Sequence, residues 1–73
     1  MQGNTENLEK LAASGAGLII DCKDLTAVSL LRIVRAGKAG QGILTLTNIK
    51  GKSMDALLEI AAEGKERVIF DTR

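Results

Sequence analysis

Residues 17–48 read GLIIDCKDLTAVSLLRIVRAGKAGQGILTLTN, and in this segment two β-rich runs enclose one helical pattern. The runs, residues 17–22 and 43–48, are rich in the β-branched and apolar residues that favour strands. Between them, Leu30, Ile33 and Val34 follow the i, i+3, i+4 spacing of a helix with one buried face. A strand, a helix and a second strand in this order predict a parallel βαβ unit with a right-handed crossover.

The same signals recur on both sides of this unit, which makes the chain an internal repeat. In each copy a hydroxyl residue precedes the helical pattern as a predicted N-cap, and a glycine follows ten or eleven residues later as a predicted left-handed C′ residue. The N-caps are Thr5, Thr26 and Ser53, and the glycines are Gly15, Gly37 and Gly64. A third β-rich run covers residues 67–71. Caps and glycines thus mark the same boundaries three times.

We therefore predict an α/β fold in which three consecutive helix-strand repeats form a small three-stranded parallel sheet with the helices on one face. Residues 1–73 make one domain, with repeat units at about 5–22, 26–48 and 53–72. The outer helices carry the same apolar stripe as the central one, at Leu8, Leu11, Ala12, Leu57, Ile60 and Ala61, and Leu31 and Leu58 widen it. Alternation along the strands predicts that one set of side chains faces the helices, namely Leu18, Ile20, Cys22, Leu44, Leu46, Asn48, Val68, Phe70 and Thr72.

The other strand residues form a face that the helices leave open, with isoleucines beside polar residues. Parallel sheets are normally covered on both faces, and a three-stranded sheet also has two unpaired edges. We therefore expect a second chain to cover this face or these edges. The candidate interface residues are Ile19, Asp21, Ile43, Thr45, Ile69 and Asp71.

The charges follow the repeat, because Arg32 and Arg35 lie in the central helix and acidic residues lie in both outer helices. The acidic residues are Glu6, Glu9, Asp55, Glu59 and Glu63. One interpretation is a charge ladder that fixes the order of the helices. The other is a partner-docking surface made by Arg32, Arg35 and Lys38.

Composition narrows the function classes. Cys22 is the one cysteine and the chain has no histidine, which excludes an intrachain disulfide and a structural zinc site. We expect Cys22 to be a core residue. We also expect the protein to occupy a reducing cytosol. A net charge of +1 and a single aromatic residue argue against a nucleic-acid partner, and a nucleic-acid binder that uses Lys38, Lys50 and Lys52 is an alternative. No apolar run spans a membrane, and the polar residues 1–6 do not resemble a signal peptide.

No motif in the sequence predicts catalysis, a cofactor or a metal. The glycine-rich residues 37–42 follow a helix and enter a strand, the reverse of a nucleotide loop, and are interpreted as a turn. A candidate anion site lies at the start of the third helix and consists of Lys50, Lys52 and Ser53. The alternative interpretation is that Ser53 serves only as the N-cap of this helix. Asp21 and Asp71 are expected to be separated by the second strand, so they do not predict a catalytic pair.

Leucine or isoleucine recurs at alternate positions of the predicted strands in LIIDC (residues 18–22) and LTLTN (44–48), and each strand is joined to a helix. This repeat resembles leucine-rich repeats and related β/α solenoids. The resemblance covers most of the chain and implies that the open sheet face, centred on Ile19, Ile43 and Ile69, is a protein-binding surface.

Residues 18–62 also resemble the core of STAS domains, with an Asp that ends a strand, a Leu-Thr pair and a leucine-rich helix. In that family the first of these helices opens with a phosphorylated serine, and Ser29 stands at this place here. We thus hypothesise a small cytosolic interaction module without catalysis, most simply a homodimer. The alternative that this second resemblance implies is a regulatory protein switched by phosphorylation at Ser29.

Overall fold

The computed structural model of the chain describes residues 5–72, and in this part helices and strands alternate as predicted. The helices are α1 (Thr5–Ala13), α2 (Ala27–Gly40) and α3 (Met54–Gly64), and the strands are β1 (Leu18–Asp21), β2 (Leu44–Thr47) and β3 (Val68–Phe70). A single 3₁₀ turn, Lys65–Arg67, joins α3 to β3. The α/β class and the helix-then-strand order are thereby confirmed. Residues 1–4 and 73 of the predicted domain lie outside the described part.

The strands form a parallel sheet in the order β1-β2-β3. Leu18, Leu44 and Val68 make one row across the sheet, and Ile20, Leu46 and Phe70 make the next row on the same face. Leu44 and Leu46 on the central strand are 1% and 0% exposed, because the helices cover this face. Alternation along the strands therefore predicted the buried side of the sheet correctly.

The core lies between this face and the helix layer, in which α2 packs between α1 and α3. The predicted stripe Leu30, Ile33 and Val34 of α2 is fully buried, together with Ile60 of α3. Burying an aliphatic side chain of this kind contributes about 1.5–3 kcal/mol to folding. The outer helices are less well covered, since α1 buries Ala12 and α3 buries Ile60 and Gly64.

The predicted charge ladder is present in the helix layer. Arg32 of α2 pairs with Glu9 of α1, with a shortest N–O distance of 3.0 Å. On the other side of α2, Arg35 and Lys38 lie 3.5 Å and 3.8 Å from the carboxylate oxygens of Glu63 in α3. The cations of α2 therefore contact carboxylates within the chain, as the ladder interpretation requires.

Two of the three predicted helix ends, those at Gly37 and Gly64, are wrong. Gly15 has a φ of +93° and ends α1 as expected, but α2 continues through Gly37 to Gly40, and Gln41 takes the left-handed conformation with a φ of 65°. Residues 37–40 are therefore helical and not part of a turn. After α3, Gly64 stays right-handed and Lys65 has the positive φ of 51°.

The two misassigned glycines have a packing role instead. A Cβ on Gly37 would lie 3.0 Å from Leu44 Cδ1, and one on Gly64 would overlap Val68 Cγ2. Both glycines thus let a helix approach the sheet closely. Similarly, a Cβ on Gly40 would overlap the carbonyl oxygen of Ala12, so α1 and α2 touch backbone to backbone at their ends.

Several boundary and burial predictions also need correction. Thr5 is itself helical and is not the N-cap of α1. Leu11 and Leu58 are 50% and 59% exposed, not part of the buried stripe, because they lie on flanks of the outer helices that no neighbouring helix covers in residues 5–72. Asn48 and Thr72 are exposed because both lie beyond the strand ends, where alternation no longer holds.

Candidate interaction surface

The face of the sheet opposite the helices carries isoleucines on both sides of a central threonine. Ile19 of β1, Thr45 of β2 and Ile69 of β3 lie side by side in one row, because Thr45 is the register partner of both isoleucines. Ile43 directly precedes β2 on the same strand path. Ile19 is 81% exposed, and Ile43 and Ile69 are 50% and 49% exposed, whereas Thr45 is half-buried. We call the surface formed by these four residues the open face.

The carboxyl end of this face is polar and internally hydrogen-bonded. Asn48 Nδ2 and the backbone N–H of Lys23 donate to Asp21 Oδ1 over 2.9 Å and 3.0 Å. The Asn48 amide, followed by the Lys23 N–H, lowers the pKa of Asp21 below its ordinary value. Thr47, the register partner of Asp21, donates its hydroxyl to Ile20 O over 3.2 Å. These bonds fix the rim of the open face.

Asp71 completes the set of predicted interface residues. Its backbone N–H donates to Leu46 O over 2.9 Å, so it continues the pairing of β3 with β2, and it is half-buried. Because β2 lies between β1 and β3, the strands that lead to Asp21 and Asp71 are not neighbours. The structure thus brings Ile19, Thr45 and Ile69 together and places both aspartates at the carboxyl end of the sheet.

The bond between Asp21 and Asn48 was not expected from the sequence. Asn48 has a φ of 57°, a left-handed conformation that asparagine tolerates better than most residues. This turn takes Asn48 out of the strand and toward Asp21. The available signal was an asparagine directly after a β-rich run, which is typical of such turns.

The candidate anion site is organised around a helix cap. Ser53 Oγ accepts the backbone N–H of Ala56 over 3.2 Å, so the N-cap interpretation of Ser53 is confirmed. The backbone N–H of Lys52 donates to Ile49 O over 2.9 Å in the preceding turn, and Lys50 is exposed. Anion binding by Lys50, Lys52 and Ser53 stays a prediction.

Ser29 and Cys22 are the remaining residues singled out by the sequence. The N-cap Thr26 accepts the backbone N–H of Ser29 and donates its hydroxyl to Ser29 Oγ, both over 3.2 Å. Cys22 is buried in the core, as predicted, and desolvation raises the pKa of its thiol to about 11. The Cys22 thiol is thus held in its neutral form at physiological pH.

A second exposed apolar surface lies on α3 and was missed. Met54 and Leu58 are 66% and 59% exposed, and with Leu57 and Ala61 they make a stripe with i, i+3, i+4, i+7 spacing. We call these four residues the α3 flank. Of the three α3 flank residues that the sequence places in the buried stripe, Leu57 is half-buried and packs against the core and Ala61 is half-buried, whereas Leu58 is exposed.

Comparisons with protein-family models, with curated protein sequences and with solved structures found no significant match. Among residues 5–72 no helix combines the length and the apolar character that crossing a membrane requires. The same part of the chain contains no group of three or more His, Cys, Asp or Glu residues placed to hold a metal ion.

Proposed function

We propose that this protein is a protein-interaction module without catalysis, and that it self-associates through the open face. The observation that carries the proposal is the exposure of Ile19, Ile43 and Ile69 on one face of a parallel sheet. Sheets of this kind are normally covered on both faces. A domain of 73 residues also gains little net stability from its own core, so association has more to add here than in a larger protein.

The expected association is weak and depends on concentration. Complete burial of an isoleucine contributes about 1.5–3 kcal/mol, and the three side chains have between half and four fifths of their surface left to bury. Two copies together then gain on the order of 8 kcal/mol from their isoleucines. Association costs about 4–15 kcal/mol in lost freedom, so at the lowest cost about 4 kcal/mol remains, and we expect a dissociation constant of about 1 mM from the isoleucines alone.

The charges at the two ends of the sheet favour a second copy as the occupant of the open face. Asp21 and Asp71 lie at the carboxyl end, and Arg67, whose guanidinium donates to Gln41 O over 2.9 Å and keeps its charge, directly precedes β3 at the amino end. When two copies pack face to face with antiparallel strands, the Arg67 end of each meets the acidic end of the other. Opposite charges at the rim favour this orientation over the parallel one.

Sedimentation velocity over a range of concentrations tests the proposal. Ile19→Asp places a charge on the most exposed isoleucine of the open face, and we expect it to shift the chain toward smaller species than the wild type at equal concentration. Val28→Asp is the matched control, because Val28 is 68% exposed on α2 in the helix layer. Circular dichroism checks that both variants fold. Identical sedimentation of the wild type and Ile19→Asp would contradict the proposal.

A regulatory role for Ser29 is the second candidate. Ser29 lies in the first turn of α2, where the backbone N–H groups and the helix dipole stabilise a phosphate. Ser29 is half-buried and its hydroxyl accepts from Thr26 Oγ1, so we propose that phosphorylation of Ser29 breaks this hydrogen bond. Mass spectrometry of the protein after incubation with cell lysate and ATP tests this modification, and an unmodified Ser29 would count against it.

The cytosolic location of the protein also stays a prediction.

A further inference from the structure

The α3 flank points away from the rest of the helix layer. Glu63 marks the side of α3 that faces α2, because its carboxylate contacts Arg35 and Lys38. At about 100° per residue, the centre of the α3 flank lies on the opposite side of the helix from Glu63. Met54 and Leu58 are consequently left at the outer end of the helix layer with most of their surface exposed.

The sheet is incomplete at the same end of the molecule. Val68 and Phe70 of β3 face the helix side but are only half-buried, whereas their row partners Leu44 and Leu46 on β2 are fully buried. The edge of β3 that faces away from β2 pairs with no strand within residues 5–72. An apolar helix flank, a partly covered strand and an unpaired strand edge therefore lie next to one another.

From this juxtaposition we infer a second contact between copies of this chain, in which the α3 flank and the β3 edge meet their own equivalents across a two-fold axis. The axis runs perpendicular to the sheet. It sets α3 antiparallel to the α3 of the second copy and β3 antiparallel to the second β3, so that the sheet continues from one copy into the other. This contact uses no side chain of the open face, since Ile69 contributes only its backbone to the β3 edge, and it stands independently of the proposal for that face.

The charges of the outer helices select this arrangement over head-to-tail stacking. Asp55 lies in the first turn of α3 and Lys65 directly follows its last residue. Antiparallel α3 helices bring Asp55 of each copy toward Lys65 of the other. Head-to-tail stacking would instead place α1 of the next copy parallel to α3, with Glu6 and Asp55, both in first turns, at the same end. Like charges there oppose that stacking.

Sedimentation of the wild type and three variants distinguishes the open-face contact from the α3 contact. The variants are Ile19→Asp, Leu58→Glu and the double variant. If both contacts form, each single variant still makes dimers and the double variant sediments as the 7.7 kDa monomer. If Leu58→Glu behaves as the wild type and Ile19→Asp alone is monomeric, the α3 contact is overturned and the open face stands. If Ile19→Asp has no effect and Leu58→Glu alone is monomeric, the open face fails and the α3 contact stands.

A cysteine variant tests the two-fold geometry and uses a residue whose replacement leaves the core intact. Leu58→Cys places a thiol in the middle of the α3 flank, and on mild oxidation we expect a covalent dimer on a non-reducing gel. Val28→Cys is the control and should stay monomeric on the gel, while the native Cys22 is buried in both. A Leu58→Cys chain that forms no more covalent dimer than Val28→Cys, or an Ile19→Asp chain that grows into open-ended oligomers, would overturn the two-fold contact.

Discussion

Arg32 of α2 donates two parallel hydrogen bonds to the carboxylate of Glu9 of α1, from Nε to Oε2 and from Nη2 to Oε1, each 3.0 Å long. This fork geometry is the strongest form of an ion pair between side chains. On the other side of α2, Arg35 and Lys38 share the carboxylate of Glu63 at longer distances. The basic helix α2 thus contacts an acidic side chain of the helix on each side.

A double-mutant cycle on Arg32 and Glu9 should give a small, salt-dependent coupling. The Arg32 side chain is 54% exposed, so we expect a coupling of about 0.5–1 kcal/mol in low salt and a smaller one in 1 M salt. Arg32→Lys keeps the charge but loses the fork, and it should lose most of the coupling. Urea unfolding of the four chains of the cycle measures this, and a coupling that does not respond to salt would contradict the electrostatic explanation.

Gly40→Ala should destabilise the fold much more than Gly51→Ala. A Cβ on Gly40 would overlap the carbonyl oxygen of Ala12, and backbone atoms cannot move aside as a flexible side chain can. We expect the free energy of unfolding to fall by about 1–3 kcal/mol. Gly51 is the matched control, since a Cβ there meets nothing within 4 Å, and its change should stay within about 0.5 kcal/mol. Equal effects in thermal unfolding would show that α1 and α2 do not touch closely.

Gln41→Gly should stabilise the protein. Gln41 has a φ of 65° and a ψ of 20°, a left-handed conformation that glycine adopts without steric cost. Its N–H still donates to Gly37 O in the variant, so we expect a gain of about 0.5–1 kcal/mol. Asn tolerates this region better than Gln, whereas a β-branched residue does not. Denaturant midpoints should therefore rank Gly above Asn, Asn above Gln and Gln above Val at position 41, and any other order contradicts the conformation.

Asn48→Gly should raise the pKa of Asp21 toward its ordinary value of 3.8, because it removes the amide that donates to Asp21 Oδ1. Glycine suits the positive φ of this position, so the backbone should not change. The folded pKa of Asp21 is depressed, so its stabilising effect is present above pH 3.8 and is lost as the pH falls through the folded value. Carbon-detected NMR titration of both chains measures the shift, and an unchanged pKa would refute the role of Asn48.

Local chemistry explains which features the sequence could predict. Thr26 and Ser53 cap their helices, and Leu30, Ile33 and Val34 are buried, because a cap and a stripe depend on residues within one or two turns. The open face was predicted in the same way, since alternation along a strand is a local property. The signs of the charges on neighbouring helices also gave the correct ladder.

The errors come from features that depend on distant neighbours. Gly37 and Gly64 look like the glycines that end helices. Their role is instead to let Leu44 and Val68 come close, which no local pattern reveals. Leu58 fits the buried stripe of the repeat, but whether that flank is covered depends on a helix beyond α3. The bond from Asn48 to Asp21 requires the register of β1 against β2, which the sequence does not state.

The strand order β1-β2-β3 never reverses direction across the sheet. In open parallel sheets, ligand crevices form where the order does reverse, because two neighbouring loops then diverge to opposite faces at the carboxyl ends of the strands. Within residues 5–72 the order offers no such switch point, and Asp21, Thr47 and Asn48 at that end bond to the chain itself. What this topology presents for recognition is flat surface, not a cleft between diverging loops.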